Sequence, residues 1–204
     1  ESSSLLHIII HIRIPRVINV ALTGAALALC GAAMQGLLRN PLADGSTMGV
    51  SSGASLGAIL SIAFGIYIPG FAGVSLIVVF ASERVKSIMF WIMGSLAGTN
   101  YKTTAVLALS LLLCGFIIMR LADELNAFAI GEDNARHIGI NVRRVKLAIL
   151  IVVSVLIGVS VSIGGTIGFA GLVIPHMARM IVGPNHRRLL PASLFDGASF
   201  LMLA

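Results

Sequence analysis

From Val17 to Leu38 the chain carries no charged residue, and an arginine stands at each end, Arg16 and Arg39. About 20 apolar residues are enough to cross a bilayer as a helix, so this stretch predicts a membrane span. It runs directly into Arg39-Asn40-Pro41-Leu42-Ala43-Asp44, a polar, helix-breaking segment. A second apolar stretch covers Met48 to Ile66. Its glycines, Gly49, Gly53 and Gly57, recur every four residues, with Ser51, Ser52 and Ser55 among them. That spacing predicts either a helix face that admits a neighbouring backbone or serines facing a pore. Pro69 to Phe80 is apolar but short, Ser82 to Lys86 is a polar break, and Ser87 to Ala97 carries Trp91, which suits an interfacial anchor.

Thr103 to Met119 predicts another span, about 17 residues long and at the lower limit for crossing. Arg120 to Lys146 is a polar connector whose apolar residues, Ala129-Ile130, Ala135 and Ile138, are spaced for one or two short helices outside the membrane. Leu147 to Pro175 is uncharged and too long for one untilted span. Gly164-Gly165 is its natural break, so a helix rises to about Ser162 and the chain returns through Gly168 to Gly183. Gly183 to Arg188 predicts a turn, and Leu190 to Ala204 begins a further span. A weak internal echo joins Gln35–Leu38 before Asn40-Pro41 to Ala170–Val173 before Pro175-His176, as if two interrupted helices were related.

Composition sharpens this picture. The chain is 57% hydrophobic and 11% charged, with a mean hydropathy of +1.01, whereas soluble domains carry about 25% charge. The net charge of +6 is scattered between apolar runs, which fits membrane topology and not nucleic-acid binding. Lysine and arginine are densest in the Arg120–Lys146 connector, which places it in the cytoplasm. Cys30 and Cys114, the two cysteines, both fall inside apolar runs and read as packing residues. His176 and Arg179 stand within the returning segment, where polar groups face protein or water. No H-E-x-x-H motif accompanies His176, so it reads as a hydrogen-bonded packing residue and no metal site is expected. The polar start, Glu1-Ser2-Ser3-Ser4, looks like the interior of a longer protein.

Several segments together resemble one family. These are Ile12–Arg16 (IRIPR), Gly24–Asp44 (GAALALCGAAMQGLLRNPLAD), Met48–Ala58 (MGVSSGASLGA), Phe90–Gly98 (FWIMGSLAG), the connector around Gly131–Val142, GTIGFAGLVIPHMAR and GPNHRRLLPAS. In this order they are similar to the FecCD-type, BtuC-like permeases of ABC importers for iron–siderophore complexes, haem and vitamin B12. The resemblance implies an all-α, polytopic transmembrane bundle with short cytoplasmic coupling helices. It would form one permease domain over residues 1–204 in a bacterial inner membrane. It implies a homodimer, two cytoplasmic ATPase subunits and an extracytoplasmic binding protein, with substrate passing along the dimer interface. ATP hydrolysis would lie on the partner, and this chain has no G-x-x-x-x-G-K-[ST] loop. It is not expected to be an enzyme or to hold a cofactor.

By matching positions, the resemblance assigns Arg13 and Arg16 to docking the binding protein's acidic residues. It assigns Asn40 and Leu42 to a cytoplasmic gate, and Gly131, Glu132, Arg136, His137 and Gly139 to coupling with the ATPase. The chemistry is compatible. Two cations beside a proline at a helix mouth suit carboxylates, Pro41 ends a helix, and glycines permit tight turns. About six or seven spans are expected here against about ten in the family. The first and last helices are expected to be missing, and so is an internal segment near 71–87, where the second gate and part of the pore helix would lie. A secondary transporter would need ionisable residues in its spans, yet the apolar runs offer little beyond Asp196. A membrane enzyme would need converging acids, bases or metal ligands, and none converges in the sequence.

Overall fold

The structure, a computed structural model, describes residues 6–45, 49–53, 55–57, 94–96 and 98–204. The Trp91 anchor, the Pro69–Phe80 run and the 71–87 junction lie outside the described residues. The described residues contain helices and no strand. Helix α1 is Leu6–Leu38, α2 Tyr101–Arg120, α3 Ala122–Ile130, α4 Glu132–His137, α5 Val142–Gly164, α6 Ala170–Val182 and α7 His186–Leu203. Among the described residues, α1, α2 and α5 are long and apolar enough to cross a membrane.

Helix α1 begins earlier than the charge-free run suggests, because Ile8 to Ile14 are also mostly apolar. Its Ile9–Arg13 turn is a π-turn that closes from the Ile14 N–H to the Ile9 carbonyl. Pro15 follows at once and has no N–H for the ordinary bond to residue 11, so the register shifts there.

Every residue of α1 from Thr23 to Leu37 is buried, and α2, α5, α6 and α7 pack around it. Lipid supplies little hydrophobic drive between helices, so close backbone approach holds them together. Among the described residues, the glycines that provide this approach lie outside the second apolar stretch. Gly49 stands in the turn before that helix at φ +73°, and a Cβ at Gly53 or Gly57 would meet no described atom within 4 Å. The packing glycines are instead Gly24 against Gly197 and Gly31 against Gly171, where an added Cβ would lie 2.1 Å and 1.8 Å from the opposing carbonyl oxygen.

At the far end from the connector, Asn100 caps α2 in a reciprocal box with Thr103. Asn19 donates to Thr104 Oγ1 at 2.5 Å and to the Pro15 carbonyl at 2.9 Å, and Tyr101 donates to the Ile10 carbonyl at 2.6 Å. Helix α5 ends at Gly164, and Gly165 turns at φ +72°, as the glycine pair predicts. The return differs from expectation. Its 13-residue helix α6 spans about 20 Å, short of the bilayer's hydrocarbon core. Pro175 lies inside α6, whereas Pro41 follows the end of α1, so the internal echo does not correspond to a repeated geometry. His176 is exposed and not a hydrogen-bonded packing residue; the buried histidine is His186, at the start of α7.

Candidate gate and coupling face

At the C-terminal end of α1 the helix stops at Leu38, and Arg39 takes a left-handed conformation, φ +51°. The Arg39 and Asn40 amides both donate to the Gln35 carbonyl, which closes the last turn. The Asn40 side-chain oxygen then accepts from the Leu42 amide at 2.9 Å. This Asx-turn leaves the Asn40 amide group free to donate outward. Asn40 and Leu42 are both exposed, Leu42 by 67%.

The connector forms two helices, as its apolar spacing suggests. Gly131, at φ +131°, separates α3 from α4, and Gly139, at φ +89°, follows α4; both angles disfavour residues with a Cβ. Ala135 faces inward and is fully buried, whereas Ile130 and Ile138 are 74% and 70% exposed beside charged neighbours. Glu132 opens α4. Its Oε1 accepts from Lys146 Nζ at 2.5 Å and lies 4.0 Å from the Arg39 guanidinium. The hydrogen bond from Lys146 is the main cause holding the Glu132 carboxyl below its ordinary range. Arg136 pairs with Asp133 at 3.2 Å, and His137 is exposed.

Arg39 therefore joins two of the predicted groups, the gate turn and the coupling segment. The third group lies apart. Arg13 and Arg16 are exposed beside buried Pro15 at the other end of α1, about 37 Å away along the helix by its rise per residue.

The sequence reading missed the junction of α3 with the start of α7. Asn126 Oδ1 accepts from both the backbone N–H of His186, at 2.8 Å, and its Nδ1, at 2.9 Å. Asn126 Nδ2 donates to Asn185 Oδ1 at 3.1 Å. An oxygen that accepts the backbone N–H fixes the proton on Nδ1 of the ring, so Nε2 carries the lone pair. Nε2 faces Gly36 of α1, where a Cβ would stand 2.3 Å from it, and it has no hydrogen-bond partner. Burial, and then the Arg179 guanidinium, push the His186 imidazole down to about 4, so it is neutral at pH 7. Beside it Arg187 makes a two-pronged pair with Asp123, at 2.6 Å on each oxygen. That hydrogen bonding lowers the Asp123 carboxyl and raises the guanidinium. The partners lie about 60 residues apart in the chain, so no local signal pairs them. Among the described residues no three of His, Cys, Asp or Glu are grouped to hold a metal.

The FecCD transport family matches residues 1–82 and 70–204 of this chain. This chain belongs to the FecCD transport family. An ABC transporter permease protein of Bacillus subtilis, YvrB, is 37% identical over 249 residues, covering 97% of the chain and 70% of that protein. The cobalamin import permease BtuC of Halobacterium salinarum is 33% identical, covering 95% of the chain and 64% of its own length. A solved structure described as an inward-facing, metal-chelate-type ABC transporter superposes with a TM-score of 0.88 at 30% identity. It covers 97% of this chain and 77% of its own. The FecCD chain described here is thus a permease subunit of the ABC-importer type, all-helical and multi-pass, and shorter than these relatives.

Proposed function

We propose that this chain is the membrane-spanning subunit of a binding-protein-dependent ABC importer in a bacterial inner membrane. It acts as a homodimer with two cytoplasmic ATPase subunits and passes an iron–siderophore-type metal chelate along the dimer interface. The observation that carries this reading is the adjacency of the gate turn and the connector: Arg39, next to Asn40, faces Glu132, the first residue of α4. In this reading Ile130 and Ile138 enter the ATPase, with Gly131, Glu132, Arg136, His137 and Gly139 around them. Asn40 and Leu42 close the inner passage, and Arg13 and Arg16 receive the binding protein's carboxylates at the opposite end. The cargo rests on the metal-chelate character of the solved relative, while the cobalamin relative makes ligand identity a property to measure.

We also infer that family sequence is absent near 71–87. The two matched segments overlap at 70–82, and the alignment to the Bacillus relative, 249 residues, exceeds the chain's 204.

The test is co-purification from membranes. A tagged chain is expected to bring down a nucleotide-binding subunit, and the cognate binding protein is expected to retain an iron chelate. Purification without any ATPase, together with ATP-independent flux, would refute the assignment.

A further inference from the structure

Besides the direct packing of α3 on α1, two polar contacts tie the connector to the last turn of α1, one from α3 by way of His186 and one from α4. From α3, Asn126 holds His186 by two hydrogen bonds, and the His186 ring lies on Gly36. From α4, Glu132 faces Arg39. Gly36 and Arg39 are three residues apart and bracket one turn of α1. The segment that follows is internally tied, by the Asn40 amide to Gln35 and the Leu42 amide to the Asn40 side chain. A displacement of that turn therefore moves residues 40–42 with it.

We propose that Asn126 and His186 are positioning residues that clamp the connector to the end of α1 and carry its movement to the gate turn. The proposal rests on the reading of 40–42 as the gate and of the connector as the ATPase contact. The two contacts are unequal. His186 is 1% exposed, and its bonds to Asn126, at 2.8 and 2.9 Å, are of ordinary hydrogen-bond length. A buried donor or acceptor left without its partner is costly, so this contact is stiff. The Arg39–Glu132 pair is long, at 4.0 Å, with side chains 49% and 28% exposed, and exposed pairs contribute little. Of these two polar links, Asn126–His186 is the stronger and Arg39–Glu132 the weaker. The glycine at 36 is required because any side chain there would occupy the place of the imidazole.

The experiment is amide hydrogen exchange on the full chain, alone and in complex with its ATPase, with and without ATP–vanadate trapping. Asn126→Ala is compared with Asn126→Asp, which keeps the oxygen acceptor. In the chain alone, Asn126→Ala is expected to speed exchange of the Arg39 and Asn40 amides about tenfold, the scale of one or two lost buried hydrogen bonds. The amides of Leu107–Leu111 in α2 stay unchanged. In the complex, trapping is expected to alter exchange in both the connector and 39–42 of the unmodified protein. In Asn126→Ala only the connector responds, and Asn126→Asp restores the response of 39–42.

Arg39→Gln is expected to reduce that response less than Asn126→Ala does, and it serves as the second variant if Asn126→Ala does not fold. A response of 39–42 that persists at full size in Asn126→Ala overturns the proposal, as does loss of protection spread evenly over α2. Failure of Asn126→Asp to restore the response also overturns it. If the unmodified chain binds no ATPase, the functional assignment fails instead, and the rates in the chain alone still decide whether the clamp exists.

Discussion

A methyl group at Gly31 would stand 1.8 Å from the carbonyl oxygen of Gly171. That oxygen is available because Pro175, four residues later in α6, has no N–H to bond it. Proline and glycine thus act as a pair across two helices: one releases a carbonyl, and the other makes room for it. Gly31→Ala is expected to force α1 and α6 apart and to cost about 1–3 kcal/mol, the usual penalty for overpacking. Thermal unfolding in lipid nanodiscs checks this. Gly158→Ala in α5, where an added Cβ meets nothing within 4 Å, is the control and is expected to leave the midpoint unchanged or raise it.

His186 makes a second residue-scale prediction. Its imidazole, held down to about 4 against an ordinary 6.5, binds fewer protons folded than unfolded between those values. Stability therefore falls as pH drops from about 6.5 toward 4. Asp123 and Glu132 are shifted the other way for their charge, below their ordinary 3.8 and 4.5, so their ion pairs hold through that window and fail only at lower pH. The unfolding midpoint is expected to decline from pH 7 to pH 5 in the unmodified protein. His186→Gln, which cannot titrate, is expected to flatten the decline; an equal slope in both would remove His186 as its source.

At the scale of the elements, α2, α5 and the two connector helices were legible because each is written locally. Uninterrupted apolar runs mark α2 and α5, Gly164-Gly165 ends α5, and Gly131 divides α3 from α4. The start of α1 was misplaced because Arg16 looks like a membrane boundary, whereas the helix continues past it to Leu6. His176 misled because spacing shows which residues share a face but not whether another element covers it. The gate and coupling assignments rest on family resemblance and not on any local signal. The Asn126–His186 junction could not be found, because a contact between residues 126 and 186 leaves no trace in either segment.

Gly139 shows what local geometry adds. At φ +89° a residue with a Cβ is strained, although a side chain there would meet no neighbour within 4 Å. Gly139→Leu is therefore expected to distort the end of α4 without unpacking the bundle. ATP hydrolysis by the partner is expected to continue while uptake per ATP falls at least severalfold, with binding-protein docking unchanged. Parallel uptake and ATPase assays check this, and unaltered uptake per ATP would remove Gly139 from the coupling surface.

For the molecule as a whole, orientation decides the rest. Helices α1 and α2 both end at the connector and α5 begins there, so one end of the bundle gathers Arg39, Arg120, Arg143, Arg144, Lys146, Arg187 and Arg188. Among the described residues the other end holds Arg13, Arg16 and Lys102. Basic residues favour the cytoplasmic side, so the connector is expected inside and Arg13 and Arg16 outside. Labelling can measure this cleanly because Cys30 and Cys114 are buried in the helices and give little background. An impermeant maleimide is expected to modify Asn134→Cys, on exposed α4, only in inverted membrane vesicles. It is expected to modify Lys102→Cys, at the start of α2, only in right-side-out ones. The reverse pattern would put the gate turn and Glu132 on the outer face, where no nucleotide-driven subunit could reach them, and the importer reading would fall with the topology.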